Sequence, residues 1–339
     1  MPRLLWLAAA LSLPFIAACA PDASTDTDAG TDTDASTDTD AGTDTDAAMD
    51  AAPVVISSFP SDGATGFAAN QLLSVTFSKP MDIGSVESSF ETETLPSVNL
   101  SWNNEHTVMN ISPVGGLEEV MGVGFDPSLV EGVEYEFTIA ATATDKAGTP
   151  LAADYAVSFS MQKIMHAQLK TFDTSLTRTM NSTGVVHSSG HAMVFVGDSE
   201  VSANTQMKAF LTLDMSEMPE GVEVTDAELW ANQVEINGNP YALLGSLTLD
   251  HLRFAAVNQD AFDAAALESL GVFSPNQNLG IKSLDVTSAF QDDYDNRLTN
   301  GDLSQYRLSF AVSHDTNSQG NSAVFQKDTL RLQVTYLAD

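Results

Sequence analysis

Short stretches in which apolar and polar residues alternate run between residues 53 and 161. Leu73–Phe77, Tyr135–Ile139 and Tyr155–Phe159 each place an apolar side chain at every second position, which predicts strands with one face in a core. Turn sequences such as Pro60-Ser61-Asp62-Gly63 separate these stretches, and no helix-period segment of useful length interrupts them. The pattern therefore predicts an antiparallel β-sandwich of about 100 residues.

The same alternation continues from residue 165 to residue 339, with one exception. The predicted strands include Phe210–Leu213, Glu228–Ala231, Leu247–Leu249, Arg307–Phe310 and Leu330–Val334. The exception is Ala261–Leu270, where Asp260 is placed to cap a helix and Gly271 to end it. One short helix among many strands predicts a jelly-roll-like β-sandwich, so the fold class of the whole chain is predicted to be all-β.

The first 18 residues have the pattern of an export signal. Arg3 is basic, and the apolar run Leu4–Ile16 is too short to span a bilayer comfortably. The small residues that lead to Ala18 and Cys19 resemble the lipobox of bacterial lipoproteins. The resemblance implies cleavage between Ala18 and Cys19, a lipid on Cys19 that anchors the protein to the membrane and, with Ala20 next, the outer membrane as its location. The alternative is an ordinary cleavage site beside a chance buried cysteine.

Residues 19–52 form an acidic segment. Residues 20–50 hold ten Asp but no Lys, Arg or aromatic residue, mostly in repeated units such as TDTDAG. Nothing here can bury a core and like charges repel, so an extended, disordered linker is predicted. A calcium loop of the EF-hand type that starts at Asp26 fails, because Gly30 and Thr37 stand where oxygen ligands are required.

The net charge is −33, from 13 Lys and Arg against 46 Asp and Glu. This balance argues against nucleic acid as a partner, because neutralising phosphates needs clustered basic residues. It equally disfavours attachment to anionic lipid through a basic patch. Residues 51–339 alone carry 12 basic and 36 acidic residues, so the folded part is itself acidic. Cys19 is the only cysteine, which rules out an intramolecular disulfide.

Several blocks between residues 53 and 161 resemble, in order, the bacterial Ig-like domain of the SbsA surface-layer type. They include Phe59–Ala64, Val75–Asp82, Tyr135–Thr138 and Asp145–Gly148. The stretch Gly115–Gly124 is longer and richer in glycine than is usual in that family, which predicts one lengthened loop. The resemblance implies a spacer or adhesive module on a secreted or surface protein, and it implies no catalysis.

The region 165–339 resembles the DNRLRE family of β-sandwich modules. The matching residues are Val196–Asp198, Lys208–Met215, Met218–Val222, Asp226–Leu229, Leu284–Thr287 and Leu330–Tyr336. The resemblance implies a module of extracellular proteins that is associated with carbohydrate recognition. The segment 240–280 lacks the tryptophan-rich pattern that the family would lead one to expect there.

Phe195–Ser199 resembles the first block of the GDSL-type esterases, in which Ser199 would be the nucleophile. Such an enzyme also needs a histidine base and an aspartate that orients it. His314-Asp315 is the only late candidate pair, and its order and spacing are wrong for that family. The chain is therefore predicted not to be an enzyme and to have no catalytic residues, with an esterase that uses Ser199 as a minor alternative.

Two groups of residues have the composition of metal ligands. His187 and His191 are four apart, a zinc-binding spacing on a helix, but the glycines and serines around them favour a loop with solvated histidines. The run Asp292–Asp295 has the carboxylates for Ca²⁺ in a loop, although an acidic solvated edge is commoner. The prediction is no metal site and no cofactor, with Ca²⁺ as the alternative.

Together these features predict a lipid-anchored protein of the cell envelope or surface with a binding or adhesion role. Its distal sandwich is predicted to bind either a carbohydrate, in the form of a polysaccharide, or an envelope protein. The alternative is a structural or assembly spacer that contacts another envelope protein. The sequence does not single out the ligand-binding residues.

Overall fold

The computed structural model describes residues 51–171, 175–187, 192–199, 205–315 and 319–339. Strands account for 51% of the structure and helices for 11%, so the all-β fold class is confirmed. Ala18 and Cys19, like the rest of the predicted signal and nearly all of the acidic linker, lie outside the described residues. No helix in the described ranges is long and apolar enough to cross a membrane.

The first sandwich is built from two four-stranded sheets. Its elements are β1 (Val55–Phe59), β2 (Ala64–Phe67), β3 (Leu73–Phe77), α1 (Ile83–Ser88), β4 (Phe90–Glu91), β5 (Val98–Trp102), β6 (Val108–Pro113), β7 (Val120–Val123), a 3-10 turn (Pro127–Leu129), β8 (Glu134–Ile139) and β9 (Tyr155–Met161). One sheet has the strand order β1-β3-β6-β5 and the other β2-β9-β8-β4. Phe77, Phe137 and Phe159 are buried in the shared core, as the alternation in β3, β8 and β9 predicts.

Two features of this sandwich differ from the sequence-based expectation. Helix α1 interrupts the strands because Asp82 caps it, accepting a hydrogen bond from the backbone N of Ser85 at 2.8 Å. The lengthened loop Gly115–Gly124 is not only a loop, because it contains strand β7. This strand pairs with neither four-stranded sheet but with the second half of the chain.

The second half forms an eleven-stranded sheet to which β7 contributes. Its own elements are β10 (Lys163–Lys170), β11 (Arg178–Asn181), β12 (Met193–Ser199), β13 (Thr205–Asp214), β14 (Glu223–Asn237), α2 (Pro240–Leu243), β15 (Leu247–Leu252), α3 (Gln259–Asp263), β16 (Glu268–Ser274), β17 (Gly280–Asp285), α4 (Thr287–Asp295), α5 (Arg297–Asn300), β18 (Leu303–Phe310) and β19 (Asn321–Ala338). The strand order is β16-β15-β18-β13-β12-β19-β10-β7, and β14 pairs with β19 and β17. The strands enclose one large core that includes Leu229, Phe290, Tyr306 and Leu332.

The predicted helix Ala261–Leu270 is wrong in most of its length. The helix there is α3, which Asn258 rather than Asp260 caps, and it ends at Asp263. From Glu268 onward the chain forms β16, because pairing with β15 outweighs the helix propensity of Ala and Leu. Gly271, with a φ of 106°, lies beside an irregularity in this pairing instead of ending a helix. The second sandwich also contains α2, α4 and α5, so the single helix of the prediction is corrected to several short ones.

The two sandwiches are joined closely. Gln162 is the only residue between β9 and β10. Strand β7 runs parallel to β10, with Val120 opposite Lys163 and Val123 opposite His166. Contacts within Asp50–Asp339 are dense enough that this range forms one compact unit.

Candidate functional site

Trp230 lies on the outer face of the second sandwich. Residues alternate along β14, so Leu229 and Ala231 enter the core while Trp230 stays partly exposed on the opposite face. In the ladder, Trp230 is opposite Arg331 of β19 on one side and opposite Ser283 of β17 on the other. The indole therefore belongs to the middle of three adjacent strands, where a ligand can contact side chains on both sides of it.

Two charged side chains hold the indole ring in place. The Cζ atom of Arg331 lies 4.8 Å from the centre of the ring, in a cation–π contact. The indole Nε1 donates a hydrogen bond to Glu228 Oε2 at 2.5 Å. Because the ring is ordered before any ligand arrives, the entropy cost of binding against it is reduced.

A shallow depression of about 60 Å³ adjoins the ring. It is lined by Trp230, Ala231, Asn232, Ile281, Thr329 and Arg331. The volume is far below the roughly 300–1,000 Å³ of a pocket that encloses a small molecule, so a ligand would lie along this face. Ile281 is 57% exposed and extends the apolar surface beside Trp230. We call Trp230, Asn232, Ile281, Thr329 and Arg331 the Trp230 face.

The Trp230 face offers the two kinds of contact that a sugar requires. The indole and Ile281 are apolar and can pack against the C–H groups of a sugar ring. The side chains of Asn232, Thr329 and Arg331 have donors and acceptors for hydroxyl groups. The sequence predicts the strand Glu228–Ala231, but the partners of Trp230 come from residues 281 and 329–331, which local pattern alone does not bring together.

The acidic run Asp292–Asp295 lies in helix α4, which corrects the predicted loop. The helix begins where Asp285 Oδ1 accepts hydrogen bonds from the backbone N of Thr287 at 2.9 Å and from its hydroxyl at 2.7 Å. Phe290 anchors the helix in the core, and the helical period brings Asp293 to the same side. Asp293 is fully buried, so it is not part of a solvated acidic edge.

Asp293 belongs to a cluster of polar side chains between α4 and β15. Its Oδ2 lies 2.9 Å from Nε2 of His251, which is also buried, and its Oδ1 lies 3.1 Å from Nε of Arg253. The Nη2 atom of Arg253 lies 2.7 Å from Oδ2 of Asp292, which is 54% exposed. Sequence spacing could not reveal this cluster, because about 40 residues separate Arg253 from Asp293.

Gly197 and Asp198 of the esterase-like sequence join β12 to β19. Gly197 has a φ of 145°, and a Cβ there would come within 3.0 Å of the carbonyl oxygen of Asn321, so the close approach of β19 requires glycine. Asp198 is buried, which raises the pKa of its carboxyl, and Oδ1 accepts a hydrogen bond from the backbone N of Asn321 at 2.6 Å. The presence of Gly197 and Asp198 in this sequence is thus accounted for by their contacts with β19. A nucleophilic role for Ser199 stays the minor alternative.

Of the two candidate zinc ligands His187 and His191, only His187 belongs to the described residues. His187 is the last residue of the described range 175–187, and its ring centre lies 6.2 Å from that of Phe195, whereas His191 lies outside the described residues. The prediction of solvated histidines in a loop therefore stays a prediction.

Among solved structures, the similarity to this chain is distant. The surface-layer protein SbsC, domains 1–6, is 12% identical over 70% of this chain and 41% of its own, with a TM-score of 0.23. SGBP-B from a complex xyloglucan utilization locus in Bacteroides uniformis is 9% identical over 83% of this chain and 72% of its own, with a TM-score of 0.22. The LD transpeptidase LdtMt1 in complex with imipenem is 13% identical over 57% and 67%, with a TM-score of 0.21.

TM-scores of this size are well below those of proteins that share a fold over their whole length. No curated protein sequence matches the chain. Residues 49–161, by contrast, match the family model of the bacterial Ig-like domain, which confirms the Ig-like sandwich expected in the first half of the chain.

Proposed function

We propose that the protein is a lipid-anchored binding protein of the cell envelope, and that its second sandwich binds a polysaccharide across the Trp230 face. The observation that carries the proposal is the ordered indole of Trp230, held on an outer face between Arg331 and Glu228. The bacterial Ig-like match and the resemblance of the second sandwich to carbohydrate-associated modules support a surface role. A polymer suits a shallow open face better than a small molecule does.

The chemistry of binding follows from the residues of this face. One sugar ring stacks on the indole and Ile281, while Asn232 and Thr329 exchange hydrogen bonds with its hydroxyl groups. Arg331 donates to a hydroxyl or carboxylate oxygen while its guanidinium stays over the indole. Loss of a central tryptophan at such a surface typically costs about 2 kcal/mol or more, which corresponds to about a 30-fold weaker Kd.

The test is a glycan array followed by titration of the polysaccharides that bind. Trp230→Ala should weaken binding by about 30-fold, whereas Trp230→Phe should retain most of it, because it keeps an aromatic face. Trp102→Phe is the matched control, since Trp102 stacks on Phe77 in the first sandwich with ring centres 5.7 Å apart. Unchanged binding by Trp230→Ala, or the absence of any bound glycan, would refute the proposal.

The lipid anchor is tested separately. Cys19→Ser removes the thiol that would carry the lipid, so the variant should appear in the soluble fraction of cells that retain the wild-type protein on membranes. Membrane retention of the variant would contradict the anchor without bearing on the Trp230 face.

A second candidate function is a spacer that contacts another envelope protein. The pairing of β7 with β10 and the one-residue junction favour it, because they couple the two sandwiches closely. Pull-down should then recover one stoichiometric envelope partner, and Trp230→Ala should leave that partner bound. Loss of the partner in the Trp230→Ala variant would instead assign its binding to the Trp230 face.

A further inference from the structure

The side chains of His251, Asp292 and Asp293 bring three potential metal-ligand atoms close together. One ligand atom from each residue lies within 4.8 Å of those of the other two. His251 is 2% exposed and Asp293 is fully buried, whereas Asp292 is 54% exposed. The cluster thus has a fixed inner pair and an outer carboxylate that reaches solvent.

The inner pair is close together but is not hydrogen bonded. His251 Nε2 and Asp293 Oδ2 lie 2.9 Å apart, within the distance of an ion pair, yet both atoms are buried and their contact does not have the geometry of a hydrogen bond. Two buried polar atoms without hydrogen bonds are costly unless another group satisfies them. Ligand atoms about 2.1 Å from a common metal ion would be about 3.0 Å from each other at the 90° angle of an octahedral site and about 3.4 Å at a tetrahedral angle. The separation of Nε2 and Oδ2 therefore suits two adjacent ligands of a five- or six-coordinate ion.

Arg253 holds the carboxylates in the orientation that such an ion needs. It contacts Oδ1 of Asp293 through Nε and Oδ2 of Asp292 through Nη2. Oδ2 of Asp293 is thereby left to face the ion. Oδ1 of Asp292 accepts a hydrogen bond from Asn296 Nδ2 at 3.2 Å and keeps a second lone pair for the ion. Partners that bind the distal atoms of metal ligands orient them in this way in many metal sites.

We propose that His251, Asp292 and Asp293 bind a divalent transition metal ion, of which Zn²⁺ is the representative. The imidazole nitrogen distinguishes this set from a calcium site, which takes oxygen ligands only. Two carboxylates and one Arg253 leave one negative charge, which a divalent cation offsets. Solvent at Asp292 supplies the path of entry and the remaining ligand positions. The ion would join α4 to β15, so the site is structural in character.

The test uses the full chain, freed of metal by a chelator and then titrated with Zn²⁺ and with Co²⁺. Co²⁺ should give visible absorption bands of a nitrogen- and oxygen-ligated ion, and Zn²⁺ should raise the unfolding temperature. Asp292→Asn should weaken Zn²⁺ binding by about 10-fold or more. Asp295→Asn, an exposed carboxylate on the same helix, is the matched control and should bind as the wild type does.

His251→Gln serves as a second variant and should abolish the Co²⁺ bands. If His251→Gln does not fold, the comparison of Asp292→Asn with Asp295→Asn tests the proposal, because Asp292 is 54% exposed and asparagine has nearly the size of aspartate. The proposal is overturned if Co²⁺ gives no bands. It is also overturned if Asp292→Asn binds Zn²⁺ as tightly as Asp295→Asn does, which would assign the metal to another site, such as the acidic linker.

Discussion

Gly122 lies in β7, opposite Met165 of β10, where the two sandwiches meet. A Cβ at this position would come within 3.0 Å of Val130 Cγ2 and of Met165 Sδ. Met165 is fully buried and can move its flexible end, but the branched Val130 cannot yield without a shift of the backbone. Gly122→Ala should therefore destabilise the fold through overpacking, by about 1–3 kcal/mol.

The assay is urea unfolding followed by tryptophan fluorescence. Trp102 reports on the first sandwich and Trp230 on the second, so Trp→Phe changes at one or the other separate the two signals. Both signals should move to lower urea concentration in Gly122→Ala, because β7 belongs to the first sandwich in sequence and to the second in its pairing.

Gly132→Ala is the matched control for this substitution. A Cβ there meets nothing closer than Lys163 Cε at 3.9 Å, so the free energy of unfolding should stay within about 0.5 kcal/mol of the wild type. Equal stabilities of Gly122→Ala and Gly132→Ala would refute the reasoning. A shift of only the Trp102 signal would show that β7 does not couple the sandwiches.

Three further substitutions test the packing around α4 and the junction. Phe290→Ala empties the fully buried anchor of α4 and should lower the free energy of unfolding by about 3–5 kcal/mol in urea unfolding. Asp285→Ala removes the hydrogen bonds to Thr287 and should cost about 0.5–1.5 kcal/mol at pH 7. Those bonds hold the pKa of Asp285 below its ordinary value of 3.8, so their contribution is present above that pH and disappears as the pH falls through the lowered pKa. The difference between Asp285→Ala and wild type should therefore shrink in unfolding measured below pH 3.8, and a difference that grows there would contradict the assignment. Tyr336→Phe removes the hydroxyl bond to the carbonyl of Gly124 at 3.1 Å and should cost about 0.5–1.5 kcal/mol, measured in the same way.

Strands were predictable from the sequence where the pattern is local. The alternation of Leu73–Phe77 matches β3 residue for residue, because one face of that strand is buried. The helix prediction for Ala261–Leu270 was wrong because the composition of this segment favours a helix. Its actual structure is determined by the pairing of β16 with β15, which depends on distant residues. In α4 the polar run Asp292–Asp295 conceals a helix whose apolar side is carried by Phe290 and Tyr294.

The candidate sites were less predictable than the strands. The strand around Trp230 follows from the alternation, but its contact with Arg331 requires the pairing of β14 with β19. The contact of His251 with Asp293 likewise requires α4 to pack against β15, and no spacing rule joins residues so far apart. Short-range periodicity thus predicts which residues face outward, whereas the groups that act together are set by the tertiary fold.

Strand β19 has a consequence for how the chain folds. It pairs with β10, β12 and β14, and His166 of β10 meets Thr335 at a separation of 169 residues. Contacts between such distant residues are slow to form, because the chain loses the entropy of closing a long loop before the contact contributes any stabilising energy. Until β19 docks, the edges of β10, β12 and β14 are open to pairing with other chains. The second sandwich is therefore most open to misassembly in the interval before its last strand has paired.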